Sequence, residues 1–165
     1  MLIDTTYFLD GYRQIQNATA IAPQDLRPDN QAVNAAINAY IERYQGVFLD
    51  KAVGKVFAQS LLAYAELDEA ERTDKEMNHI LDAIREPLAD FVYYKIVRDA
   101  GEYTTKTGVI RLKGANTTLS PVMRQVTAWN EMVDKMQAIV AEVVAYTVEI
   151  VVESDLLTKI HYSGI

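Results

Sequence analysis

The chain contains no cysteine. That excludes a disulfide framework, a thiolate nucleophile and any zinc site built on cysteine. Histidine is almost as scarce, with only His79 and His161. Cations are the minority charge: 16 Lys and Arg stand against 23 Asp and Glu, a net charge of −7. A protein that wraps nucleic acid with its whole surface needs Lys and Arg to meet phosphate, so that class is excluded. An acidic wall past which a duplex slides is not excluded, because like charge keeps phosphate from sticking. Long apolar runs are missing too. The most apolar stretch, near the C-terminus, is broken by Glu142, Glu149 and Glu153 and is too polar for a membrane span. Met1 to Gly11 carries Asp4 and Asp10 but no basic residue, so no signal peptide is expected there.

What remains is ordinary globular composition. Half of the 165 residues are hydrophobic, enough for one domain with a real core, and residues 1–165 are expected to form a single helical domain.

Residues 1–28 read as an irregular N-terminal arm. The apolar clusters Leu2-Ile3 and Tyr7-Phe8-Leu9 need a partner surface, on another molecule or on the chain's own domain, and Pro23 and Pro28 punctuate the segment. Asp29 or Asn30 should cap a helix in which Val33, Ala36, Ile37, Tyr40, Ile41 and Tyr44 form one stripe, weakened at Gly46. An apolar knot of Val47, Phe48, Leu49 and Val53 is closed by Gly54, and a further helix should cover Lys55 to Leu67. The acidic run Glu66 to Glu76 reads as a solvated loop and a first helical turn, with Asp74 as cap. Met77, Ile80, Leu81 and Ile84 then make an apolar face that Pro87 should interrupt, since proline lacks the N–H of a helix interior. Leu88 to Ala100 is too apolar for an exposed helix and should be central, ending at Gly101.

Residues 102–118 change character. The β-branched residues and glycine breaks predict a small β-ribbon or extended arm, locally basic through Lys106, Arg111 and Lys113. Ser120-Pro121 is a strong helix start, and a long helix should run to about Val152. Val122, Val126, Trp129, Val133, Met136, Val140 and Val143 form a heptad-like seam, and Met132, Ile139 and Tyr146 a second stripe. Such a helix spans about 45 Å, against a radius of gyration of about 15 Å for a domain of this length. It should cross the whole domain or reach another subunit. Leu156, Leu157, Ile160 and Tyr162 favour a tail that docks. The fold class expected is therefore all-α, a bundle of five or six helices with one long C-terminal helix and the ribbon or arm near 102–118.

Chemistry-bearing patterns are few. Glu76-Met77-Asn78-His79 has the Glu-x-x-His spacing, but His161 has Thr158 where the second motif would need a carboxylate. No Gly-x-Ser-x-Gly elbow, phosphate-binding loop or dinucleotide fingerprint is present. The expectation is no catalytic, cofactor-binding or metal-binding residue. Phe91, Tyr93 and Tyr94 read as core, and Trp129 as either a core or an interface anchor.

Three elements occur in order along the chain. They are Tyr40-Ile41-Glu42-Arg43-Tyr44-Gln45 with Phe48-Leu49 and Ala52-Val53-Gly54-Lys55-Val56-Phe57; Asp90 to Arg98 with Thr104-Thr105 and Gly108-Val109; and Val126 to Val133. Their order and spacing resemble the head-to-tail connector (adaptor, or head-completion) proteins of tailed bacteriophages, of the kind carried by Bacteroides-type phages and prophages. Gln45 departs from that pattern, which has an acidic residue there, and Val53-Gly54 replaces a Leu-Gly. The resemblance implies a helical virion protein, assembled in the bacterial cytoplasm, that forms a homo-oligomeric ring between portal and tail proteins. DNA passes through the ring without sequence recognition, and no membrane, cofactor or enzymatic activity is implied. Interface candidates are Tyr7, Phe8, Leu9, Tyr103, Val109, Ile110, Leu112 and Trp129; Lys106, Arg111 and Lys113 are candidates to meet DNA or an acidic partner. The alternative is a helical interaction or regulatory module that dimerises through the 122–143 seam. A helical-bundle enzyme is the third reading.

Overall fold

The computed structural model describes residues 1–21, 25, 27–102, 120–143 and 151–161. Four α-helices carry the fold: α1 (Pro28–Val53), α2 (Lys55–Ala65), α3 (Lys75–Glu102) and α4 (Pro121–Val143). Short 3-10 turns at Thr5–Phe8, Gly11–Arg13 and Ser154–Leu157 sit in the terminal segments. The all-α class stands, and no strand occurs among the described residues. The expected ribbon at 102–118 lies, from residue 103 onward, outside the described residues.

Among the described residues the helix count is four, because two expected breaks do not break. α1 runs straight through Gly46, which lies on the exposed side and leaves the buried stripe Ile37, Ile41, Tyr44, Phe48 and Leu49 intact. The apolar knot after Gly46 is the last turns of that helix. Pro87 lies inside α3. Its missing N–H costs one helical hydrogen bond, but residues 87–93 are buried without interruption, so packing on every side holds the helix together. The turn at the proline also takes an outside donor, Arg13 Nη1 to the Glu86 carbonyl at 3.3 Å. Gly101 is not an end either, since α3 continues to Glu102.

The real corner is Gly54, whose φ of 81° and ψ of 146° belong to a region open essentially to glycine alone. It turns the chain from α1 into α2, and its carbonyl accepts the first helical bond of α2, from Ala58 N–H at 2.9 Å. Two caps form as the sequence predicts, and a third does not: α1 starts at Pro28 behind Arg27, so Asp29 and Asn30 lie inside the helix instead of capping it. Asp74 Oδ1 accepts from the N–H groups of Glu76 and Met77 at 2.9 and 3.0 Å, and Ser120 Oγ from that of Met123 at 3.2 Å. Between α2 and α3 the acidic residues Glu66, Asp68, Glu69 and Glu71 are exposed, as a solvated loop should be.

α3 is the central helix and packs most extensively on α4, then on α1. Leu88, Ala89, Phe91, Val92, Tyr93, Ile96 and Val97 are buried all round it, the pattern of a helix with neighbours on every side. α4 buries Ala128, Met132, Val133, Met136 and Ile139. The core-facing side is thus rotated from the expected seam: Val133 and Met136 are on it, while Val122, Val126, Trp129 and Val140 are half-buried at its flank. Tyr146 lies outside the described residues. The helix does not continue to residue 152, because residues 151–153 are non-helical and Glu153 N–H donates to the Lys51 carbonyl at 2.8 Å.

The N-terminal segment packs on its own domain. Leu2, Ile3, Phe8 and Ile15 join the core, and Phe8, with no exposed surface, contributes about 1.5–3 kcal/mol of apolar burial. Its backbone is fastened by side chains of α1. Leu2 N–H donates to Gln45 Oε1 at 2.7 Å. The Asn34 carboxamide takes both backbone groups of Thr19: Oδ1 accepts from its N–H at 3.2 Å, and Nδ2 donates to its carbonyl at 2.8 Å.

Candidate functional site

The densest polar cluster lies where the N-terminal segment, α3 and α4 meet. Asp90 stands in the most buried part of α3, its side chain wholly covered. A carboxylate in such a place requires compensation. Three donors converge on it: Lys135 Nζ of α4 at 2.6 Å, Arg13 Nη1 at 3.2 Å, and the Tyr12 hydroxyl. Glu86, one turn earlier on α3 and half-exposed, accepts from Arg13 Nη2 at 2.8 Å and lies 3.5 Å from Lys135 Nζ. Two cations and two carboxylates therefore close on one another. Burial raises the Asp90 carboxyl above its ordinary value, opposed by the bonds from Lys135 and Tyr12 and by the charge of Arg13. Burial, then the Asp90 bond, pushes the Tyr12 phenol far up. The cluster fastens three elements together, and each of its groups is occupied by another.

A second cluster ties α1 to the far end of α3. Asp99, nearly buried, accepts from the hydroxyls of Tyr40 and Tyr44 at 3.2 and 3.5 Å. Arg98 holds its other oxygen through Nε and Nη2 at 3.0 and 2.9 Å. Burial and the neighbouring Asp99 charge push the Tyr40 phenol up to about 12.

Between the two clusters lies an aromatic box. Phe91 meets Phe48 at 5.2 Å between ring centroids, Tyr44 at 6.3 Å and Trp129 at 6.4 Å, and Trp129 meets Tyr94 at 4.9 Å. Lys95 lays its ammonium 4.8 Å from the Phe91 centroid and 5.5 Å from those of Tyr44 and Tyr94, a cation–π arrangement. Burial, with Arg98 nearby, lowers its pKa.

The fourth feature is a groove filled by the C-terminal strap, residues 151–161. Leu156 is its one fully buried side chain. Side chains of α4 bind the strap's backbone: Gln137 Nε2 donates to the Leu157 carbonyl at 3.0 Å and Trp129 Nε1 to that of Thr158 at 2.9 Å. The Asn130 carboxamide takes both groups of Ile160, donating to its carbonyl at 3.1 Å and accepting from its N–H at 2.9 Å. Ion pairs flank the segment. Lys51 meets Glu153 and Asp155 at 2.5 and 2.8 Å, and Lys159 meets Asp134 at 2.6 Å.

The sequence-predicted residues fall out as follows. Phe8 is withdrawn into the chain's own core and offers no surface; Tyr7 and Leu9 keep partial exposure. Trp129 is half-buried between Tyr94, Phe91 and the strap. Tyr103, Val109, Ile110, Leu112, Lys106, Arg111 and Lys113 lie outside the described residues, as does Tyr162 of the tail. His79 on α3 faces Glu142 of α4 at 3.4 Å. No group of three metal-ligand side chains occurs among the described residues, and none of their helices is long and apolar enough to cross a membrane.

Sequence reasoning missed both carboxylate clusters. One signal was available: Asp90 and Asp99 fall within the stretch Leu88 to Ala100 that reads as central, and a charge inside a buried helix must find a partner. Which partner, among sixteen cations, only the tertiary fold decides. In comparisons with known proteins, no family model matches the chain, and neither a curated protein nor a solved structure does.

Proposed function

We propose that the chain is a structural protein of a bacteriophage virion, a head-to-tail connector that assembles into a ring between the portal and the tail. One observation carries the reading: among the described residues, each of the three sequence elements on which the connector resemblance rests sends an aromatic side chain to a single place. Phe91, from the second element, contacts Tyr44 and Phe48 from the first and Trp129 from the third. The shared pattern thus describes one packed aromatic core, as a fold-level likeness requires, and not three unrelated stretches. The charge supports the same reading. A net −7 gives passing DNA little to adhere to.

In this reading the protein carries no cofactor and catalyses nothing. The described carboxylates of the interior hold cations of the same chain, as Asp90 does with Lys135 and Arg13. The arm at 102–118 would reach a neighbouring subunit through Tyr103, Val109, Ile110 and Leu112, by adding backbone to a partner's surface. Lys106, Arg111 and Lys113 would meet an acidic neighbour or DNA.

The dimerising module is the weaker alternative. The 122–143 helix already buries Met132, Val133, Met136 and Ile139 within its own chain, which removes the centre of the apolar face that a dimer would use.

The test is co-expression with the portal protein encoded in the same gene neighbourhood, followed by electron microscopy and mass measurement of the purified particles. Rings of this chain on the portal are expected, and deletion of residues 103–113 should reduce them. A chain that neither binds the portal nor forms rings at any concentration refutes the connector assignment.

A further inference from the structure

The strap is bound in the way a protein binds a peptide. In peptide–groove complexes, hydrogen bonds to the extended backbone supply affinity, and pockets for a few side chains supply specificity. Both are present. Backbone groups of Glu153, Leu157, Thr158 and Ile160 are taken by the Lys51 carbonyl and by Gln137, Trp129 and Asn130. The Asn130 amide offers Ile160 one donor and one acceptor, as a neighbouring β-strand would. Leu156 fills the one fully buried position of the strap. The rims carry opposite charges at the two ends: Lys51 toward Glu153 and Asp155, and Asp134 toward Lys159.

The segment meets the helices through the bonds just named and through Val152, Leu156 and Leu157, which lie on the helical core. Every bond just named joins the strap to a finished helix, none of which uses strap residues for its own backbone ladder. A groove and a matching ligand on one chain form a head-to-tail pair. When the ligand enters the groove of the next copy, the contact is heterologous, and heterologous contacts generate rings when the rotation closes. Exchange of an identical element keeps every contact and adds none, so it is a low-cost route to assembly. In an isolated chain covalent tethering favours the strap's own groove, and in a ring the neighbour's strap is brought close enough to compete.

We propose that in the assembled state residues 151–161 of one copy occupy the α4 groove of the adjacent copy, so that the groove is the docking site for a second copy's strap. The occupant follows from charge and fit: this segment already satisfies the groove's donors, acceptors and ionic rims. The proposal rests on the ring-forming reading above.

The native ion pair Lys159–Asp134 supplies the probe. Both side chains are about half exposed, 45% and 53%, and a carbodiimide joins a paired amine and carboxylate directly, without mutation. Heavy-nitrogen-labelled and unlabelled chains are mixed in equal amounts, unfolded together, refolded and treated at micromolar concentration, at millimolar concentration, and after assembly on the portal. Mass spectrometry then reads the isotopes of the cross-linked 134–159 peptides. At micromolar concentration the product should be of single isotope. Hybrid product should appear as concentration rises and approach half of the total in portal-bound rings. Hybrid product absent at every concentration and in the rings overturns the exchange. Portal-bound rings that hold only single-isotope product overturn it too, and leave the connector reading standing. Hybrid product from a chain that never binds the portal upholds the exchange and refutes the connector.

Discussion

Replacing Lys135 by methionine isolates what the buried carboxylate cluster does for the fold. The substitution keeps the length and most of the apolar stem of the side chain, and removes the donor 2.6 Å from Asp90 Oδ2. Stripping a buried ion of its only partner costs about 3–5 kcal/mol. Here Arg13 and Tyr12 still donate to the other oxygen, so the loss should approach that of one hydrogen bond to a charged group, about 1.5–3 kcal/mol. For a chain of this length each kcal/mol moves the unfolding midpoint by about 2–4 °C. A fall of about 3–12 °C at neutral pH, read by circular dichroism, is expected. The surface pair Arg85–Asp82 is the control. Its Asp82 side chain is 72% exposed, and Asp82→Ala should cost less than about 0.5 kcal/mol.

Acid gives this prediction a second arm. Burial already raises the Asp90 carboxyl in the fold, and Lys135 opposes the rise. Without Lys135 the folded-state pKa climbs further above its unfolded value. A carboxyl raised in the fold binds its proton more tightly there than in the unfolded chain, so protonation favours folding. The penalty of Lys135→Met is therefore full at neutral pH and shrinks as pH falls through the raised pKa toward about 4. A variant as stable as the parent at neutral pH, or one whose deficit grows on acidification, would refute the account of Asp90 as a charge held by its partners.

Other substitutions test the backbone and the strap. Gly46→Ala should stabilise the protein by about 0.5–1 kcal/mol in chemical denaturation, because the site is an exposed helix interior and an added Cβ meets nothing within 4 Å. Gly54→Ala should cost about 1–3 kcal/mol in the same assay, since its φ of 81° and ψ of 146° strain any residue with a Cβ. Leu156→Ala empties the strap's buried position, where a packed leucine is worth about 2–5 kcal/mol. Amide exchange at Glu153 and Ile160, whose N–H groups hold the strap, should accelerate while α3 amides such as Val92 keep their rates; uniform acceleration would mean the strap is not an independent unit.

Local signals in the sequence marked two helix starts, missed that of α1, which begins at Pro28 with neither Asp29 nor Asn30 as its cap, and were poor at helix interiors. Asp74 and Ser120-Pro121 announce their helices because a cap is a short-range bond, satisfied within three residues. Gly46 and Pro87 look like breaks by the same local logic, yet they lie inside α1 and α3. There the cost of a weak residue is set against burial on either side, Tyr44 and Phe48 around one and Ile84 and Leu88 around the other. The 122–143 stripe pointed to an apolar face but misjudged its centre, since half-buried Val126 and Trp129 are as apolar as buried Met132 and Met136. The centrality of Leu88 to Ala100 was legible because few polar residues interrupt it. The pairing of Asp90 with Lys135, and of Asp99 with Tyr40 and Tyr44, joins residues more than forty positions apart. No periodicity encodes such a match.

The indole of Trp129 has one consequence of its own. It is the chain's sole tryptophan, with Tyr94 tilted against it on one side and its nitrogen capped by the Thr158 carbonyl of the strap. Light emitted by a water-exposed indole shifts toward shorter wavelength when the ring is enclosed, so the colour of this one fluorophore registers whether the segment over it is in place. The molecule thereby carries a built-in optical gauge at the groove, and the seating of the strap can be followed in real time on unlabelled, unmutated protein.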